Sequence, residues 1–437
     1  MPTNPHPLSL SVDWPAVTAE ATSLLSQYIQ IDSSHPVGAT TTTAAFIADL
    51  LATEHIQSTI FPTEDPNKVN LIARIPAERP TGKAVLLSSH MDVVQARAED
   101  WTFDPFGGEV ADGYVRGRGT LDMKGMGVME IVVALTLRRM GVPLSRDIVL
   151  MATCDEEVGS VLGAKVLTEQ HYDLLDPDFV LDEGGCGMHG FFQAGTAFTV
   201  SVGEKRILWA KLVAEAEPGH ASMPWDQAAT HRLVRAAHKL LSQPPEDRDS
   251  PAVAEMLRRI GGEAAREELY SYRATRPLLR DTISLTMMQG GYKINVLPER
   301  AEMSIDCRLL PDTDERAFVS NLEQLISDPG VRVEVTIWPN AADATSSWAG
   351  PEFAAVEAAC SAYVPDSIVT PSLFVAGTDG RFFRARGVPA YGLVPCVLTG
   401  DDLKGYHGID ERISVANLEL GARIIFDIVA RLATRVD

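Results

Sequence analysis

Apolar residues along this chain follow two rhythms, and the change between them divides it. From residue 14 to about 203, apolar runs of strand length alternate with segments of helical period. The runs at 84–89, 147–153 and 178–181 are apolar on nearly every residue, which suits strands covered on both faces, as in a parallel sheet flanked by helices. A further strand is expected at 69–75 and helices at 16–30, 41–54 and 123–140. The last of these is apolar nearly all round, so it should lie buried against the sheet.

Between about 204 and 340 the rhythm becomes strict alternation. Met303, Ile305, Cys307 and Leu309 alternate with Glu302, Ser304, Asp306 and Arg308, and Val331, Val333, Val335 and Ile337 alternate with polar neighbours. Period two marks strands with one wet face. With a strand at 207–217, a helix at 226–241, a strand at 282–289 and a helix at 314–326, the order is βαββαβ, the split βαβ of ferredoxin-like domains. After 340 the first style returns, with helices at 352–363, 379–386 and 414–434 and strands at 372–375 and 390–394. The expected fold class is therefore α/β: a discontinuous doubly wound, mixed-sheet domain (1–203 and 340–437) with an α+β ferredoxin-like domain inserted at 204–339. The Pro-, Arg- and Glu-rich stretch 242–280 reads as a helical excursion within the smaller domain.

Composition narrows the chemistry. A formal charge of −21, from 59 acidic against 38 basic residues, argues against nucleic acid or an anionic membrane as partner. Five widely spaced cysteines make an odd number and no Cys-x-x-Cys pair, which suits buried thiols in a reducing cytoplasm. Residues 1–10 hold three prolines and no basic, then apolar, leader pattern.

Metal-ligand residue types recur at the ends of separate apolar runs. His90 and Asp92 stand one residue apart at a strand end, so both point to one side; the imidazole can face a metal while the carboxylate takes its other N–H. Asp122 sits in a loop with Gly117, Gly119, Gly125 and Gly127, where it could bridge two ions or simply cap the helix. Glu156 and Glu157 follow a buried strand; adjacent side chains diverge, so one can bind metal and the other accept a proton from bound water. Asp182 and Glu183 compete for one ligand position, and spacing leaves the choice open. His407 lies in a glycine-flanked loop beyond the insertion. In open α/β sheets ligands gather at the carboxyl ends of strands, and imidazole with carboxylate suits Zn²⁺ and related ions.

This ordered set, His-x-Asp, Asp, Glu-Glu, Asp-Glu-Gly and His-Gly-x-x-Glu, resembles the M20 metallopeptidase family, which includes aminoacylase-1, carboxypeptidase S and succinyl-diaminopimelate desuccinylase. Gly-Thr-Asp-Gly-Arg at 377–381 and Gly-His-Ala-Ser-Met-Pro at 219–224 add to the likeness, which spans nearly the whole chain. The resemblance implies that His90, Asp122 and Glu183 hold one zinc and Asp122, Glu157 and His407 the other, with Co²⁺ or Mn²⁺ as substitutes. It implies Glu156 as general base, Asp92 as the partner of His90, and His220 as an oxyanion partner that in dimeric members crosses from the other subunit. It implies Arg381 as the grip on a substrate carboxylate, with Asn295 and Arg308 beside it; Arg308 could equally pair with Asp306 on its own strand. The expected activity is hydrolysis of an N-acyl amino acid or short peptide by metal-activated water, with a homodimer through the smaller domain. Dipeptidase, carboxypeptidase or reversible N-acyl amino acid synthase action are the enzymatic alternatives. A silent acyl- or peptidyl-binding protein is the alternative of another class, and it predicts loss of a ligand or base, all of which are present.

Overall fold

A computed structural model describes residues 4–244, 246–339 and 345–434. Its larger sheet has eight strands in the order Gln57–Pro62, Val69–Ile75, Ile148–Thr153, Ala84–His90, Pro177–Phe192, Ala390–Leu398, Gly195–Glu204, Ile368–Phe374. Central pairs are parallel, as between Ala84–His90 and both of its neighbours, whereas Gln57–Pro62 and Val69–Ile75 run antiparallel at one edge.

Alternate residues of the central strands feed two cores. Val85, Leu87, Ile148 and Leu150 pack with helices Trp14–Ile29, Lys124–Met140, Pro351–Tyr363 and Val415–Ala433 on one face. Ala84, Leu86, Val149 and Met151 pack on the other face with Ala164, Leu167 and Phe383. Two covered faces are why these strands are apolar without alternation. Helix Lys124–Met140 is buried on every side from 124 to 137 and stops at Gly141, whose φ of 60° suits a residue without a Cβ.

The smaller sheet is antiparallel, in the order Thr282–Gly290, Arg300–Leu309, Arg206–Glu215, Val331–Ile337. Helices Ala229–Leu241 and Glu315–Ile326 cover one face, burying Leu208, Leu212, Met303, Ile305 and Cys307. Glu204 ends a strand of the larger sheet and Arg206 begins one of the smaller, so Lys205 alone joins them.

Three features depart from the sequence reading. The excursion at 242–280 does not pack within the smaller unit: Ala252, Val253, Met256, Leu257 and Ile260 of helix Pro251–Ile260 join the larger core. Its Arg259 Nη1 donates to Val369 O at 2.8 Å, covering the edge strand Ile368–Phe374, beyond which no further strand pairs among the described residues. The run expected to end at 181 continues as strand Pro177–Phe192, because Gly184 and Gly185 let it pass close to its partners; a Cβ on Gly185 would stand 1.4 Å from Thr199 O. The exposed edge strand Gln57–Pro62 was not expected. Among the described residues no helix is long and apolar enough to cross a membrane.

Candidate metal centre

His90 closes strand Ala84–His90. Its Nδ1 lies 2.8 Å from the Asp92 backbone oxygen, which places the ring hydrogen on Nδ1 and leaves Nε2 to face Asp122 Oδ1 at 3.0 Å and Glu183 Oε1 at 3.4 Å. The Asp92 carboxylate was expected to take that Nδ1–H, but stands 3.7 Å away. It is engaged elsewhere: Glu156 N and Glu157 N each donate to it at 3.2 Å, and His35 Nε2 lies 2.8 Å from Oδ2. Asp92 thus holds the loop carrying both glutamates, and His35 is a site residue that sequence reading missed.

Glu156 and Glu157 ride a single 3-10 turn, Glu156–Val158, entered through Asp155 at φ 72°. Lys68 Nζ donates to the buried Asp155 carboxylate, whose second oxygen accepts from Leu162 N at 3.2 Å, so the entry to the turn is fixed. Asp122 is fixed by Glu411, whose Oε1 accepts from Leu121 N at 2.6 Å and Asp122 N at 3.1 Å. Glu411 Oε2 accepts from Arg118 Nη1 at 2.5 Å, and Arg118 Nη2 donates to Gly408 O at 2.5 Å, binding the Asp122 loop to the His407 loop.

Asp122 presents one oxygen to each histidine: Oδ1 to His90 and Oδ2 to His407 Nε2 at 3.0 Å. His407 Nε2 also lies 3.1 Å from Glu157 Oε2. Asp182 and Glu183, adjacent on one strand, face opposite ways. Glu183 turns to His90, and Asp182 Oδ2 accepts from Gly380 N at 2.5 Å. Donor atoms of His90, Glu156 and Glu183 lie within 4.8 Å of one another, as do those of His90, Asp122 and Glu157. The Glu157 Oε1 atom is buried without a hydrogen-bond partner.

The electrostatics record crowding. Burial, then the Asp122 charge, push the Glu183 carboxyl up to about 8. Burial and Glu183 hold Glu156 well above the usual carboxylate range. Hydrogen bonds from His407 to Asp122 and Glu157 raise its pKa to about 10, and at His90 the carboxylates Asp122 and Glu183 outweigh burial and raise it too. Several carboxylates in one buried space ask for positive charge, which protons on these groups or a cation can supply.

Arg381, at the start of helix Gly380–Arg384, donates from Nη1 to Thr378 O at 2.8 Å and from Nη2 to Gly159 O at 3.1 Å and Ser160 Oγ at 3.3 Å. Its guanidinium therefore adjoins the glutamate-bearing loop. His220, Asn295 and Arg308 are not brought into this cluster. His220 is exposed on the short strand Gly219–His220 with Nδ1 2.7 Å from Ser222 Oγ; Asn295 O accepts from Ala221 N at 3.1 Å. Arg308 forms the same-strand pair with Asp306, at 2.8 and 3.1 Å.

Comparison with known proteins places the chain in a family. The model of peptidase family M20/M25/M40 matches residues 86–431. Aminoacylase-1B of Rattus norvegicus is 29% identical over 384 residues, spanning 84% of this chain and 85% of its own. A probable carboxypeptidase S-like 2 of Dictyostelium discoideum is 31% identical, over 77% of this chain and 69% of its own. The fold matches the crystal structure of the M20 family metallo-carboxypeptidase Sso-CP2 from Sulfolobus solfataricus with a TM-score of 0.74 at 16% identity, covering 94% of this chain and 98% of that one. The chain belongs to peptidase family M20/M25/M40 and is accordingly a hydrolase.

Proposed function

We propose that this protein hydrolyses the amide bond of N-acyl amino acids or short peptides at a two-zinc centre that Co²⁺ or Mn²⁺ can also fill. The donor set fits such a centre: two imidazoles and three carboxylates, one of which, Glu157, has its Oε1 buried without a hydrogen-bond partner. His90, Asp122 and Glu183 would hold one ion, and Asp122, Glu157 and His407 the other. When bound, two such ions lower the pKa of a shared water and polarise a carbonyl.

The residues of the chain do the rest. Glu156, beside the cluster yet outside both ligand sets, takes the proton of the attacking water and returns it to the leaving amine; its raised pKa suits both tasks. Arg381 receives the substrate's carboxylate. His220, Asn295 and Arg308 would approach by closure of the smaller unit as a lid, His220 then meeting the oxyanion. A second copy pairing through the smaller sheet belongs to the same reading, supported by the exposed Met287, Met288, Tyr292 and Ile294 on and beside its edge strand. A cytoplasmic setting is supported by five cysteines that are all free and buried.

The observation that carries this reading is Asp122 offering one oxygen to each histidine, Oδ1 to His90 and Oδ2 to His407. The test is amine release from a panel of N-acyl amino acids and dipeptides by metal-stripped and zinc-restored protein. Zinc-dependent release is expected, and the preferred panel member decides between aminoacylase, dipeptidase and carboxypeptidase action. No release by protein loaded with two ions would favour the binding-only alternative. Glu156→Ala should lower turnover about 10²–10⁴-fold with zinc content retained.

A further inference from the structure

We propose that Ser160 is a positioning residue that ties the carboxylate anchor Arg381 to the loop carrying the base Glu156, so that turnover, and not binding alone, responds to a substrate carboxylate. The inference rests on the anchor and base roles given above.

A hydroxyl has one proton and two lone pairs, so Ser160 Oγ can donate and accept at once. It donates to Asp379 Oδ1 and accepts from Arg381 Nη2 at 3.3 Å. Asp379 is itself held by Thr153 Oγ1, 2.7 Å from Oδ2. On the other side, Ser160 belongs to the turn that presents the base: Ser160 N donates to Asp155 O at 2.7 Å and Gly159 N to Glu156 O at 2.9 Å. A shift of Ser160 therefore reaches Glu156 through two backbone bonds.

The turn before Arg381 has separate supports. Gly380 N is held by Asp182, and Glu204 accepts from Thr378 N at 2.8 Å and Thr378 Oγ1 at 2.7 Å. Removing the Ser160 hydroxyl thus leaves that turn anchored. Among the described residues, Ser160 is the one side chain that hydrogen-bonds the Arg381 guanidinium; its other partners are the backbone oxygens of Thr378 and Gly159. Among the described residues three of the five guanidinium N–H groups are engaged, which leaves the Nε–H and one Nη1–H for a ligand. A carboxylate that accepts from either one restrains the guanidinium, and Ser160 with Gly159 carries that constraint to the base, where small misplacements are costly in rate.

The test compares an N-acetyl amino acid with its primary carboxamide as substrates of wild type, Ser160→Ala and Arg381→Ala, with zinc content and thermal melting measured on each. Alanine tolerates the φ of 60° at this position no worse than serine does. For Ser160→Ala, kcat on the free acid should fall roughly 10-fold with KM within about 2-fold, the carboxamide rate should barely change, and both zinc ions should remain. The inference is overturned if Ser160→Ala keeps the wild-type preference for the acid, lowers both substrates equally, acts through KM alone or loses zinc. An unchanged preference in Arg381→Ala would instead overturn the anchor role on which it stands.

Discussion

His35 reaches the centre from 57 residues upstream of Asp92 and supplies the third donor to that carboxylate, beside two backbone amides. Replacing Asp92 with Asn should cost about 10–100-fold in metal affinity or turnover, the usual loss when a ligand's supporting group is removed. His35→Ala should produce a smaller loss of the same kind, read as a several-fold fall in kcat with zinc retained. A His35→Ala enzyme indistinguishable from wild type would show that the two amides alone suffice. The ligand-type residues were legible because each sits in a short motif beside a buried run. His35 was not, since one histidine between Ser34 and Pro36 carries no periodicity and its partner is remote in sequence. The Asp182–Glu183 choice was also closed to spacing; only the direction in which strand Pro177–Phe192 turns its side chains separates them.

At the scale of elements, runs covered on both faces announced themselves, and Ala84–His90 and Ile148–Thr153 form close to where the apolar pattern placed them. Strand Gln57–Pro62 escaped because it is exposed along most of its length, so burial left no pattern in it. The continuation of Pro177–Phe192 escaped because glycine pairs read as a break, whereas here they permit close backbone approach. Gly185→Ala should accordingly cost more than the ~1–3 kcal/mol of ordinary overpacking, measured by denaturant unfolding, since the obstructing atom is a backbone oxygen. The junction between the sheets makes a pH prediction. Lys205 Nζ donates to Arg280 O at 2.6 Å, Pro277 O at 3.0 Å and Thr282 Oγ1 at 3.3 Å, yet burial pulls its pKa down to about 7. Between there and its ordinary value near 10.5 the unfolded chain binds more protons than the native one, so stability from this group rises with pH across that window. The stability of wild type relative to Lys205→Met should therefore grow from pH 7 to 10; a constant difference would mean that the three oxygens keep the ammonium charged.

For the whole molecule, the centre is a joint between distant parts of the chain, and its occupancy should register in global stability. An ion held only by the native state stabilises it by about 4 kcal/mol at a thousand times its dissociation constant. Chelation should lower Tm, and zinc should restore it; a Tm indifferent to both would mean that the Arg118–Glu411 clamp and its neighbours hold the loops without help. That same clamp has a consequence for birth. Asp122 and His407 are joined through Glu411, near the end of the chain, so a ribosome must make more than two hundred residues after Glu183 before the second imidazole exists. At ~5–20 residues per second that interval lasts roughly 10–45 s. On the proposed ligand set, a chain ending before His407 carries His90 and the carboxylates without the second imidazole, and should not hydrolyse substrate until that loop has been made.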